Sequence, residues 1–121
     1  MLNVILVVNE EKLIKSRICP LLNKEQHKVV LTGLLSQSSE TKTIEEERNQ
    51  WQNLFSLREE FERNGYAVSI ITERGSVFNL INIVQTISAD ILILPKEKFL
   101  TLAQDEYEDF LTQLSCALML Y

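Results

Sequence analysis

The segment Pro95-Lys96-Glu97-Lys98 directly follows the apolar run Ile91-Leu92-Ile93-Leu94. Open α/β sheets hold their ligands just beyond the carboxyl ends of their strands, so this segment brings two ammonium groups to a place where an anion could sit. Lys96 and Lys98 would meet it as point charges. Their simpler role is to solvate the chain and offset Glu97, because charged side chains are mostly exposed. Asn9 and Glu10 follow the other strongly apolar run, Val4 to Val8. Asn9 either bonds a ligand or caps a helix beginning at Glu10, and the cap is the expected role. Asn9, Glu10, Pro95 and Lys96 are the candidate ligand-binding residues.

Other reactive side chains suggest no catalytic set. The acidic stretch QDEYED at 104–109 could suggest a divalent cation, but a calcium loop alternates its ligands around a central glycine. This stretch instead runs into Phe110, Leu111 and Leu114 at helical spacing, so it is expected to be the acidic first turn of a helix, where carboxylates complement the dipole. EEER at 45–48 reads the same way. Cys19 has no general base beside it, and His27, the single histidine, is expected at the surface before a strand. Without a nucleophile paired to a base, no enzyme activity, catalytic residue, metal or cofactor is expected.

The elements that would position these residues follow from hydrophobic periodicity. NVILVV at 3–8 is a short continuous apolar run, as expected for a strand buried on both faces. A short helix over 10–22 has an uncertain last turn, because Pro20 removes a helical hydrogen bond. HKVVLTGLLS at 27–36 predicts a second strand, and the polar break QSSE precedes a long helix from 41 to 64 that stops at Asn64-Gly65. YAVSIIT at 66–72 is a third strand, followed by a helix with Ser76 as N-cap and a stripe of Val77, Leu80, Ile81, Val84 and Ile87. DILIL at 90–94 is a fourth strand, a helix falls between 100 and 114, and CALMLY at 116–121 is a fifth strand.

That alternation predicts an α/β fold: a three-layer, open five-stranded parallel sheet with helices on both faces. With 121 residues the chain is expected to form a single domain, 1–121. A signalling receiver would also show five β-α units, but its acidic pair and phosphoacceptor are missing at Asn9 and at Thr72-Glu73. The net charge of −5 argues against nucleic acid, which calls for a basic stripe. No apolar run approaches the roughly 20 residues that span a bilayer, and the opening MLNVILVVNEEK lacks a basic leader, so a cytoplasmic protein without membrane insertion is expected. Cys19 and Cys116 lack disulfide or zinc spacing and are expected as reduced thiols.

The stretch NGYAVSIITERGSVFNLINIVQTISADILILP at 64–95 resembles the universal stress protein family, with Gly65, Gly75, Ile81, Ala89 and Asp90 at matching places. The resemblance implies a Rossmann-like sheet order 3-2-1-4-5, with the topological switch between strands one and four. It also implies an Asp after the first strand and a glycine-rich phosphate loop after the fourth. Here Asn9 stands near the first position, and no glycine follows Leu94. Glycines let a backbone wrap a polyphosphate, so ATP binding of the family type is not expected.

The same order would leave strand five at an edge. An uncharged apolar edge must be paired or covered. In the resembled family it commonly pairs with a second copy, which implies a homodimer through Cys116, Ala117, Leu118, Met119, Leu120 and Tyr121, with a further protein partner as an option. The function expected is therefore a non-catalytic domain acting by dimerisation and docking in a stress or regulatory role. The alternative is a small-molecule sensor taking a nucleotide or other anion at the switch point.

Overall fold

The structure, a computed structural model, describes residues 1–9, 11–35 and 41–121, with side chains in the last segment from residue 44 onward. The polar break at 37–40 and Glu10 lie outside the described residues. Strands β1 (Leu2–Val7), β2 (His27–Leu35), β3 (Val68–Arg74), β4 (Ile91–Leu94) and β5 (Ala117–Leu120) form a five-stranded sheet in the order β3-β2-β1-β4-β5. Every neighbouring pair is parallel. This is the α/β architecture that the alternation and the resemblance implied.

Alternation along the central strand divides the core in two. Ile5 and Val7 of β1 join Val30, Leu92 and Leu94 on one face, covered by Leu80, Ile81 and Val84 of α3 (Leu80–Ile87) and Phe110 of α5 (Gln104–Gln113). Val4, Leu6 and Val8 point the other way, onto Leu54, Leu57 and Phe61 of α2 (Thr41–Arg63). Since both faces are covered, β1 needs an unbroken apolar sequence, and that is why it was legible. The two thiols lie on opposite faces: Cys19 packs with the α2 side and Cys116 with the α3 and α5 side.

Not every apolar residue of the α2 repeat reaches this core. Ile44 and Phe55 remain exposed, Phe55 stacking on Trp51 and carrying the Arg58 guanidinium over its ring at 5.1 Å. His27 stands at the surface where β2 begins, as expected, and also has a structural role. Half-buried, its Nδ1 accepts the Asn23 N–H at 2.9 Å and closes the turn before β2.

The segment after β1 departs from a plain helix. Glu11–Leu13 (α1) is helical, Ile14–Ile18 widens into a π-turn, and Cys19–Leu21 tightens into a 3₁₀ turn. Pro20 explains the sequence of turns: its ring and missing N–H forbid continuation of the ordinary ladder. The Cys19 N–H reaches back five residues to the Ile14 carbonyl, and Pro20 then sits at the start of the 3₁₀ turn, where no donor is required.

The residues that carried the family resemblance have structural roles. Gly65 adopts φ +87° at the carboxyl end of α2, a conformation that costs glycine little. Asp90 fastens β4 to β1, its Oδ2 accepting the Asn3 N–H at 2.7 Å while its own N–H reaches the Asn3 carbonyl at 2.8 Å. Ser76 opens the helical segment as predicted, its N–H donating to Asn79 Oδ1 at 2.9 Å.

Candidate functional site

The switch point lies between β1 and β4, whose register pairs Leu6 with Ile93. Their carboxyl ends deliver Val8-Asn9 and Pro95-Lys96 to one cleft of about 250 Å³. Asn9, Pro95 and Lys96 all line it, so three of the four candidate ligand-binding residues are brought together. Asn9 Nδ2 donates to Glu97 Oε1 across the cleft, tying the end of β1 to the segment after β4. Lys96 makes no ion pair among the described residues.

Lys96–Phe99, ahead of the helix expected between 100 and 114, is a single helical turn (α4) entered through Pro95. Proline favours this entry, since its fixed φ, here −58°, suits the residue before a helical turn and its lost N–H falls where none is used. The chain passes almost at once into α5, whose acidic start is structural. Glu106 Oε1 accepts the Ala103 N–H at 2.7 Å, so this carboxylate closes the helix start as the sequence suggested.

Leu13, Arg17, Glu97, Leu100 and Tyr121 also line the cleft without having been among the candidates, and two of them, Arg17 and Tyr121, shape it most. Arg17 lines the cleft from the π-turn, four residues beyond Leu13, which also lines it. That spacing is the signal that could have found it. The other is Tyr121. Grouped with the edge strand on sequence, it lies just past β5 and is only 7% exposed.

Tyr121 is stitched into the switch point through both its side chain and its backbone. Its hydroxyl donates to the Val7 carbonyl at 2.5 Å, its N–H donates to the Leu94 carbonyl at 3.1 Å, and its carbonyl accepts the Lys96 N–H at 2.6 Å. The ring belongs to the same buried cluster as Val8, Ile14 and Ile18. A buried tyrosine needs a partner for its hydroxyl, and a strand-end carbonyl supplies one. Tyr121 is therefore a wall of the cleft rather than part of the exposed edge. Of the other residues assigned to that edge, Ala117 and Leu120 are exposed, while Cys116, Leu118 and Met119 are half-buried against the two helical layers.

Burial raises the Cys116 thiol above its ordinary pKa, with the Asp90 charge adding to it and a hydrogen bond at Leu92 opposing it. Burial likewise raises Cys19, assisted by the Glu60 carboxylate. Both groups favour the neutral thiol at neutral pH. Their contribution to stability is full below the unfolded thiol pKa and is lost as pH rises through the higher folded value.

No protein-family model matches the sequence, and no curated protein matches it. Solved structures do. A universal stress protein family protein from Arabidopsis thaliana with AMP bound superposes with a TM-score of 0.62 at 13% identity, over 99% of this chain and 90% of that one. The fold is that of the universal stress proteins. A family protein from Burkholderia pseudomallei gives 0.64 at 11% identity, covering 98% and 94% of the two chains. The hypothetical protein MJ0577, whose biochemical function was assigned from its structure, gives 0.66 at 15% identity with the same coverage. The likeness to these universal stress proteins is one of fold, and the glycine-free passage after β4 and the Tyr121 wall are features of this chain itself.

Proposed function

We propose that this chain is a single, non-catalytic universal-stress-like domain of the cytoplasm, acting in a stress or regulatory role by pairing with a second copy and docking on another protein. The observation that carries the reading is the edge. β5 has one neighbour in the sheet, its segment is uncharged, and Leu120 is 38% exposed on it. Such an edge offers backbone donors and acceptors to a second strand. No helix among the described residues is long and apolar enough to cross a membrane. ATP binding of the family type is not part of this function, because the segment from Lys96 to Cys116 supplies no glycine for a phosphate-wrapping loop.

Sedimentation at micromolar concentration tests the pairing. The wild type is expected to sediment as a dimer, and Leu120→Lys, which places an ammonium on the edge while sparing Tyr121, is expected to sediment as a folded monomer. A monomeric wild type refutes the dimer.

One observation favours a second reading, that of a small-anion sensor. Arg17 and Lys96 line the same cleft as Asn9. A thermal-shift screen against phosphate, AMP and ATP separates the two readings. A ligand at 100 times its Kd adds about 2.7 kcal/mol to stability. The sensor reading expects phosphate or AMP to stabilise, whereas the docking reading expects none of the three to do so.

A further inference from the structure

A second concavity lies at the other end of the sheet, where the amino ends of β2 and β3 meet the carboxyl-terminal half of α2. It encloses about 550 Å³, within the roughly 300–1,000 Å³ of small-molecule sites. The turns forced by Pro20 bring Cys19 and Leu22 to one side of it. On the other, Leu57 and Phe61 present the buried face of α2, and the Phe61 ring meets Tyr66 edge-on with centroids 5.1 Å apart. These side chains make an apolar wall.

The charges at its rim are unequally committed. Lys15 Nζ is held by Glu60 Oε2 at 3.1 Å and by Glu11 Oε1 at 3.2 Å, and both carboxylates raise its pKa. Glu60 is therefore occupied, and a cationic guest would have to displace Lys15. The carbonyls ending α2 are also largely answered: Asn64 N–H and Nδ2 reach the Glu60 carbonyl, Gly65 N–H that of Glu62, and Tyr66 N–H that of Phe61. Lys24 differs, because its ammonium has no ion-pair partner among the described residues. Its position follows from Gly65, where a Cβ would come 3.0 Å from Lys24 Cδ and 3.5 Å from Nζ. The missing side chain gives the lysine stem its resting place at the rim.

We propose that this concavity binds small amphiphilic carboxylates, with the apolar body against the half-buried Leu22 and Tyr66 over a floor of Leu57 and Phe61 and the carboxylate on Lys24. One unpaired ammonium beside an apolar wall selects a guest with one anionic end. The site is separate from the cleft between β1 and β4 and does not rest on the function proposed above.

Hexanoate is the probe, with hexanol and hexylamine as controls for its head group. Binding is read by NMR shifts of the Leu57, Phe61 and Tyr66 signals and by protection of Cys19 from iodoacetamide, with Cys116 on the opposite face of the sheet as internal reference. Hexanoate is expected to shift those signals and slow alkylation of Cys19 alone, at lower concentration than either control. Lys24→Gln is expected to weaken hexanoate at least about tenfold while leaving hexanol unchanged, and Lys12→Gln, an exposed lysine elsewhere, to alter neither. Circular dichroism establishes that both variants are folded. Equal binding of hexanol and hexanoate, an unaffected Lys24→Gln variant, or shifts confined to the β1–β4 cleft would each overturn the proposal.

Discussion

Tyr121→Ala is expected to lower the stability of the protein by about 3 kcal/mol, the order found for removing a buried aromatic side chain, and to deepen the cleft between β1 and β4. The ring is buried beside Val8 and Ile14, and its loss leaves the Val7 carbonyl without its hydroxyl donor. Tyr121→Phe keeps the ring and removes the hydroxyl that donates to the Val7 carbonyl, so a loss of about 1 kcal/mol is expected. Urea denaturation measures both, as a fall in midpoint at unchanged slope. The pair also separates two obstacles to nucleotide binding. Calorimetry with ATP and magnesium is expected to show no binding to Tyr121→Ala, because the passage after Leu94 still has no glycine. Saturable binding to that variant alone would mean that the ring, rather than the backbone, keeps the nucleotide out.

The second large effect is expected at Phe110. Its side chain is fully buried, with the rings of Phe78 and Phe99 edge-on at 5.9 and 6.0 Å. Phe110→Ala is expected to cost about 3–5 kcal/mol through lost burial and the cavity left behind. Leu111→Ala, on the next residue and half exposed, is expected to stay within about 0.5 kcal/mol. Phe110 anchors α5, and Phe99 comes from α4, so one aromatic cluster fixes the passage that replaces a phosphate-wrapping loop. Similar denaturation midpoints for the two variants would show that α5 is not held by this ring.

The strands were legible because β1 and β4 are buried on both faces, which demands runs such as Val4 to Val8 that few other structures tolerate. The order of the sheet was not in the periodicity. It came from the resemblance carried by Gly65, Gly75 and Asp90, two residues at positive φ and one that ties β4 to β1. Asn9, Pro95 and Lys96 could be placed together because a switch point follows from strand order. Arg17 and Tyr121 could not be placed so simply. Arg17 reaches the cleft from a π-turn whose geometry depends on Pro20, and Tyr121, which keeps the alternation of β5 by sharing the face of Met119, gave no sign in sequence that this face opens onto the cleft at the strand's end. The concavity beside Lys24 was invisible for a different reason: its walls come from the Pro20 turn, the α2 terminus and the approach to β3, which only the folded chain brings together.

The separation of the two thiols by the sheet has a consequence for oxidation. Cys19 and Cys116 pack into different helical layers, with the strands between them. A bond between their sulfurs within one molecule would require the sheet to open, because a disulfide spans only ~4.4–6.8 Å between Cα atoms. Covalent linkage of the native protein must therefore join separate molecules, and the cysteine used tells which face of the sheet they met through.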